Sequence, residues 1–387
     1  MARRHLYVLF DPRRFVESED NPHDDPLVIW FNGGPGCSSL ISLLDGNGPY
    51  RVKPDGRSLE YNPHRWNKIA NMLYIESPAG VGFSYNIQGE YFSNDSLARD
   101  NSYIAIKDFL RLFSNFSDNP LYIFGQSYGG IYAPMLSALI VDDPDINFKG
   151  FGVGNGFVSH KFISGSMPNY LFYHGYFGDT KWRAMVDDCC PGMNGTYCDF
   201  VTCQNGRYLS LATRAIGMGY PCVNSTATIV YLNNPAVREA LYIPRDIPDT
   251  GEWRLCSYRP NYQKDDAHAE MTDYFLRVLV KNKRILMYYG EADIICNYLG
   301  GRWFVQSLNQ PVVKEHTTWR YFDKHAEIQV GGGVEEYRNL LYVSVKGAGH
   351  FVPKQTADKA FFLFPQFITN TDFTNLRPDS PNPFTSY

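Results

Sequence analysis

With 387 residues, 44% of them hydrophobic, and a net charge of −4, the chain has apolar mass for a sizeable core and no excess of either charge. That balance, without a basic run, argues against a nucleic-acid or membrane-surface partner, and no apolar stretch approaches the roughly eighteen residues of a membrane span. The length allows two average domains, but α/β enzymes of this size often form one core carrying an insertion.

Residues 1–25 are polar and offer no clear element; Pro12 and Arg13-Arg14 interrupt what reads as an edge strand. The basic start is followed by an apolar stretch too short for a secretory signal, so the chain is cytosolic or its leader is missing. Leu27 to Phe31 is a run of five apolar residues, the pattern of a buried strand. It runs into Asn32-Gly33-Gly34-Pro35-Gly36-Cys37-Ser38-Ser39, where three glycines in four residues leave backbone N–H groups bare. Two readings stay open here, a tight turn and a hole that binds an oxyanion.

Asn71 to Glu76 predicts a second strand, with Pro78-Ala79-Gly80-Val81-Gly82 as its exit loop, and 97–113 carries apolar residues at helical spacing. Leu121 to Phe124 predicts a short buried strand leading into Gly125-Gln126-Ser127-Tyr128-Gly129, and an apolar-periodic run to Val141 predicts a helix. Strand, G-x-S-x-G and helix in that order is the context of a nucleophile elbow, in which a strained serine stands clear of the backbone. Phe148 to Val153 predicts a further strand, ending at Gly154-Asn155-Gly156. Strands alternating with helices argue for a mostly parallel sheet with helices on both faces.

From about Gly156 to Ser225 the alternation breaks, as expected of a cap inserted in the connections of the sheet. Cys189, Cys190, Cys198 and Cys203 cluster there without a histidine, and adjacent cysteines suit two separate bridges better than tetrahedral ligation of a metal. Disulfides imply an oxidising compartment, and N-x-S/T sequons at Asn94, Asn115, Asn194 and Asn224 agree with a secretory route. A proline-started helix resumes regular structure at 234–241. The division expected is a core first part at 1–156, a cap at 157–228 and a core second part at 229–387.

Arg284 to Tyr289 predicts a strand leading to Gly290-Glu291-Ala292-Asp293, and Leu340 to Val345 another leading to Lys346-Gly347-Ala348-Gly349-His350. The chain order Ser, Asp, His marks the α/β-hydrolase arrangement and excludes two other common orders of serine-protease triads. Ser127, Asp293 and His350 are therefore the candidate catalytic residues, and their chemistry calls for no metal and no cofactor.

The stretches Trp30 to Ser39 and Glu76 to Tyr85, the elbow, Gly154-Asn155-Gly156, Cys189-Cys190 and Gly347 to His350 together resemble the serine carboxypeptidases, over almost all of 15–367. The resemblance implies an α/β-hydrolase fold and a peptide substrate with a free C-terminal carboxylate. It implies that Ser127 attacks, that His350 moves the proton and that Asp293 orients the imidazole. The N–H groups of Gly34 and Tyr128 would hold the oxyanion; Asn32 and Gly33 would bind the substrate carboxylate. It further implies pairing of Cys37 with Cys256, Cys190 with Cys198 and Cys189 with Cys203, a free thiol at Cys296, and a lysosomal or secreted protein. A homodimer, or a complex that protects other lysosomal hydrolases, would be its assembly; an esterase or acyltransferase on the same triad is the alternative chemistry.

Four departures from the family pattern stand out. Gln126 replaces a glutamate before the nucleophile, and Gly46 replaces a second glutamate, with Asp45 one residue off as a substitute. Gln126, a permanently neutral donor, would still grip a carboxylate, so the acid limb of activity would follow His350 alone at roughly pH 6 to 7. Phe351 replaces a methionine in the pocket for the departing residue, which should favour small or flat leaving groups. The cap is shortened, which leaves Cys222 without its family partner, and the N-terminal strand is interrupted around Val8 to Arg14; with no leader, these features fit a variant or incomplete gene product.

Overall fold

Apolar runs long enough to be buried on both faces build the centre of one sheet. The computed structural model describes residues 7–8, 14–192, 198, 200–201, 203, 224–243, 251–264, 270–323 and 325–372. Among them the strands β1 (Phe15–Val16), β2 (Leu27–Phe31), β3 (Asn71–Tyr74), β4 (Leu121–Gln126), β5 (Phe148–Gly154), β6 (Arg284–Gly290), β7 (Val312–Phe322), β8 (Ile328–Tyr337) and β9 (Leu340–Val345) form a 9-stranded sheet. Its order is β7-β8-β9-β6-β5-β4-β2-β3-β1. The six strands from β9 to β3 run parallel, and β1, β7 and β8 join antiparallel at the two edges. This is the α/β-hydrolase fold expected from the sequence.

The period of two along β2 sorts its side chains onto opposite faces. Leu27, Ile29 and Phe31 pack in one cluster with Ile106 and Phe109 of α2 (Asp95–Leu112), Ile131 of α3 (Gly129–Ile140), Phe275 of α4 (Thr272–Val280) and Phe304 of α5 (Tyr298–Ser307). Val28 and Trp30 point the other way, toward Ile41 of α1 (Leu40–Asp45), Trp66 and the phenylalanines of α6 (Ala357–Thr369), with Trp66 stacked on Phe364 at 3.9 Å. Helices thus cover both faces of a parallel sheet, which has no wet side to spare.

Four features differ from or refine the sequence reading. The second strand ends at Tyr74, two residues early, because the chain turns away after Ile75 N–H reaches the Trp30 carbonyl at 3.1 Å. Phe15–Val16 is a true edge strand: the Phe15 ring sits 4.9 Å from Phe109 and 5.0 Å from Phe116, so one aromatic anchors an otherwise polar segment. The long β7–β8 hairpin has no apolar run to mark it in the sequence, since β7 is exposed for much of its length. The stretch expected to be an irregular cap contains the helices His160–Gly165, Met167–Tyr173 and Asp179–Cys189, where Trp182, Met185 and Phe200 form a small core of their own. Bridges Cys189–Cys203 and Cys190–Cys198 close that core, and Cys37–Cys256 fastens the glycine loop; all three are the pairings the resemblance implied. Cys222 and the sequon at Asn194 lie outside the described residues. No described helix is long and apolar enough to cross a membrane.

One buried ion pair joins the N-terminal segment to the loops over the sheet. Arg14 reaches Glu76 at 2.9 Å with the two side chains 6% and 0% exposed, and Glu76 also accepts from the Phe83 N–H and from the Ser38 hydroxyl. Removing one partner of such a pair strands the other charge in a low dielectric. Glu76→Gln should therefore destabilise the protein by about 3–5 kcal/mol, read as a lower midpoint in chemical denaturation; an unchanged midpoint would contradict the assignment.

Candidate active site

The centre of the site is a turn that only a few side chains could tolerate. Ser127 follows β4 with φ of 62°, in the left-handed region that a residue with a Cβ rarely adopts. The strand and helix can close this tightly because Gly125 has no side chain; a Cβ there would lie 2.1 Å from the Gly129 carbonyl oxygen. The backbone of Ser127 is fixed on both sides. Its N–H donates to the Gly154 carbonyl at 3.1 Å, and its carbonyl accepts from Gly130 and Phe157, each at 2.9 Å.

Asp293 and His350 sit in the loops after β6 and β9, at the same end of the sheet. His350 Nδ1 lies 2.7 Å from Asp293 Oδ2, with the carboxylate 1% and the imidazole 24% exposed. Four donors converge on this carboxylate: the imidazole, the Asn155 amide at 2.8 Å, and the N–H groups of Ile295 (2.9 Å) and Cys296 (3.2 Å). With Asp293 accepting, Nδ1 carries the hydrogen and Nε2 keeps its lone pair. Gln126 brings the serine strand to the histidine loop, donating from Nε2 to the His350 carbonyl at 2.9 Å.

Asn155 is assigned no role by the sequence motif itself. It too has positive φ, 42°, and its amide bridges Asp293 and the Gly290 N–H. An asparagine between two glycines at a strand end was the available signal, since asparagine tolerates the left-handed region and carries both a donor and an acceptor.

The glycine loop lies against the elbow. A Cβ on Gly33 would fall 2.2 Å from the backbone nitrogen of Tyr128, and Gly34 has φ of 116°. Asn32 is buried, its Oδ1 accepting from Trp30 Nε1 (2.9 Å) and the Ser42 hydroxyl (2.6 Å), and its Nδ2 lies 3.4 Å from Gln126 Oε1. The structure thus gathers Asn32, Gly33, Gln126 and Tyr128 at one place. Bare N–H groups beside a strained serine can stabilise negative charge that develops on a carbonyl oxygen.

The serine carboxypeptidase family pattern matches residues 14–212 and 195–370. The chain belongs to the serine carboxypeptidase family. Among curated members it is 37% identical to the lysosomal protective protein of Mus musculus, over 93% of this chain and 87% of that protein. It is 31% identical to a serine carboxypeptidase of Caenorhabditis elegans, again over 93% of this chain and 87% of the relative. A prohormone-processing carboxypeptidase from Saccharomyces cerevisiae has a similar fold, with a TM-score of 0.75 at 19% identity, covering 92% of this chain and 86% of that one.

Within this serine carboxypeptidase frame the departures acquire a geometry. Phe351 is buried, and its ring tip occupies the space above Gly46: a Cβ on Gly46 would sit 2.7 Å from Phe351 Cζ and 3.0 Å from the Ser42 carbonyl oxygen. Asp45 does not stand in for the missing acid, because its carboxylate is paired with Lys354, which also donates to the Asn224 carbonyl. Burial pushes the Asp45 carboxyl above the usual carboxylate range, and the Lys354 ammonium opposes that shift. Cys296 is a free, buried thiol held well above its ordinary range by burial first and by the Asp293 charge second. Asp293, Cys296 and His350 bring candidate ligand atoms within 4.8 Å of one another, yet the carboxylate and imidazole are bonded to each other and the thiol stays protonated. That set suits proton transfer better than a resident metal.

The contact between Gly46 and Phe351 makes their substitutions interdependent. Gly46→Ala alone should cost about 1–3 kcal/mol of stability by overpacking, and most of that cost should disappear in a Phe351→Met background, whose flexible side chain yields. Denaturation midpoints of the two single variants and the double variant check this; strict additivity would refute it.

Proposed function

We propose that this chain releases C-terminal residues from peptides by a serine carboxypeptidase mechanism in which Ser127, His350 and Asp293 are the catalytic residues. The observation that carries the reading is the 2.7 Å His350–Asp293 bond in a loop that Gln126, the neighbour of Ser127, ties to the elbow. His350 Nε2 takes the proton as Ser127 Oγ attacks the last peptide carbonyl. The N–H groups of Gly34 and Tyr128 receive the oxyanion of the tetrahedral intermediate. Collapse breaks the C–N bond, His350 returns its proton to the departing amine, and water then hydrolyses the ester on Ser127 by the same route in reverse.

The substrate carboxylate is gripped by neutral donors: the Asn32 amide, the Gly33 N–H and Gln126. Phe351 walls the pocket of the departing residue. The three disulfides and the family of relatives support a lysosomal or secreted setting. Ser127→Ala should lower turnover of an N-blocked dipeptide about 10⁴-fold or more and abolish labelling by a fluorophosphonate. Labelling that persisted in this variant would overturn the choice of nucleophile.

The atom that faces the His350 carbonyl must be a donor. An amide nitrogen donates at any pH, whereas a carboxyl donates only while protonated. Gln126→Glu should consequently restrict kcat/KM to acid solution, with activity present below the carboxyl's titration and lost as pH rises through it. A pH profile superimposable on that of the parent would remove Gln126 from this role.

A further inference from the structure

Asp95 is a buried carboxylate, 2% exposed, that the mechanism above does not use. Its Oδ1 accepts from the Tyr128 hydroxyl at 2.9 Å and from the Tyr262 hydroxyl at 2.6 Å. Two short parallel strands, Phe92–Asn94 and Asn261–Gln263, pair in register and deliver Asp95 and Tyr262 to the same point from distant parts of the chain. Asp95 is also the first residue of α2, whose N-cap Asn94 accepts from the Leu97 N–H at 2.8 Å, and the end of a helix with free N–H groups favours a negative charge. Burial first, and then the charges of Tyr132 and Asp95, raise Tyr262 far above the ordinary phenol range, so it remains a donor.

The Tyr128 ring is held as firmly as its hydroxyl. It meets Tyr132 edge-on at 5.4 Å and Tyr262 at 6.0 Å, and the Lys264 ammonium lies 5.5 Å from its centroid. Tyr128 directly follows the strained Ser127. Strain of that kind persists only where the surroundings over-determine the backbone. On one side Gln126 is fixed to the His350 carbonyl, and on the other Tyr128 is fixed to Asp95.

We propose that Asp95 is a positioning residue, which acts through the Tyr128 hydroxyl to hold the Tyr128 N–H in line with the oxyanion. The inference rests on the triad and oxyanion assignment above and adds to it a group that touches neither substrate nor reacting atoms.

The test is a double-mutant cycle on the full-length protein, with rates normalised to sites titrated by fluorophosphonate so that misfolded molecules do not count. Asp95→Ala and Tyr128→Phe should each lower kcat about tenfold with KM changed less than about twofold, because the lost alignment matters in the transition state. Combining them should cost no more than the larger single effect. Asp95→Asn, which keeps an acceptor oxygen, should recover most of kcat. If Asp95→Ala yields no folded protein, Tyr128→Phe set against Tyr262→Phe decides the point, since only the first breaks the Asp95–Tyr128 bond. Additive effects in the cycle, or equal kcat for Tyr128→Phe and the parent, would overturn the proposal. An inactive parent would instead overturn the catalytic reading beneath it.

Discussion

Everything at this end of the sheet depends on one backbone conformation, the left-handed turn at Ser127. Such a conformation costs a residue with a side chain on the order of 1–3 kcal/mol, so the surrounding packing must supply more than that. It does so largely by leaving side chains out. A Cβ at Gly125 would meet the Gly129 carbonyl, one at Gly130 would come within 2.8 Å of the Phe157 nitrogen, and one at Gly156 would collide with Val153. The helix α3 can therefore sit directly against the ends of β4 and β5.

The same economy holds the glycine loop in place from every direction. The Cys37–Cys256 bridge and the Ser38 N–H, which donates to the Leu255 carbonyl at 2.9 Å, fasten its outer side. Ser39 fastens the inner side, donating to the Ile75 carbonyl at 2.6 Å and accepting from the Asn32 N–H at 3.0 Å. Beneath it the Ser38 hydroxyl meets Glu76, which Arg14 neutralises. Under the mechanism proposed above, donors fixed in advance would stabilise a developing charge without first having to reorganise, and these buried polar contacts are what fixes them.

The features legible in the sequence were those with a local physical signature. Continuous apolar runs reveal β2, β4, β6 and β9, because strands buried on both faces cannot alternate. Glycines flanking Ser127, and glycine loops after late strands holding Asp293 and His350, marked where the backbone must turn sharply. What could not be read depends on contacts between distant positions. The edge strand at Phe15 needs the aromatic rings of α2; the hairpin β7–β8 is set by pairing to β9 and not by its own composition. Lys354 has a role only because Asp45 and the Asn224 carbonyl meet it, 309 and 130 residues away in the chain. Disulfide partners were legible through the family resemblance alone, since spacing by itself leaves several pairings open.

Long-range contact also explains why Gly46, Gln126 and Phe351 belong to one arrangement and are not three separate departures. The Phe351 ring takes the volume that any side chain at 46 would need. Its neighbour His350 offers a carbonyl to residue 126, and an ionised carboxylate at that position would face it oxygen to oxygen. An acid at 126 would therefore have to stay protonated, and a second acid to share that proton has no room at 46 while the ring is there. The amide of Gln126 resolves the conflict with a donor that carries no charge. Once it is in place, nothing calls for an acid partner at 46, and the Phe351 ring can fill that space at no electrostatic penalty.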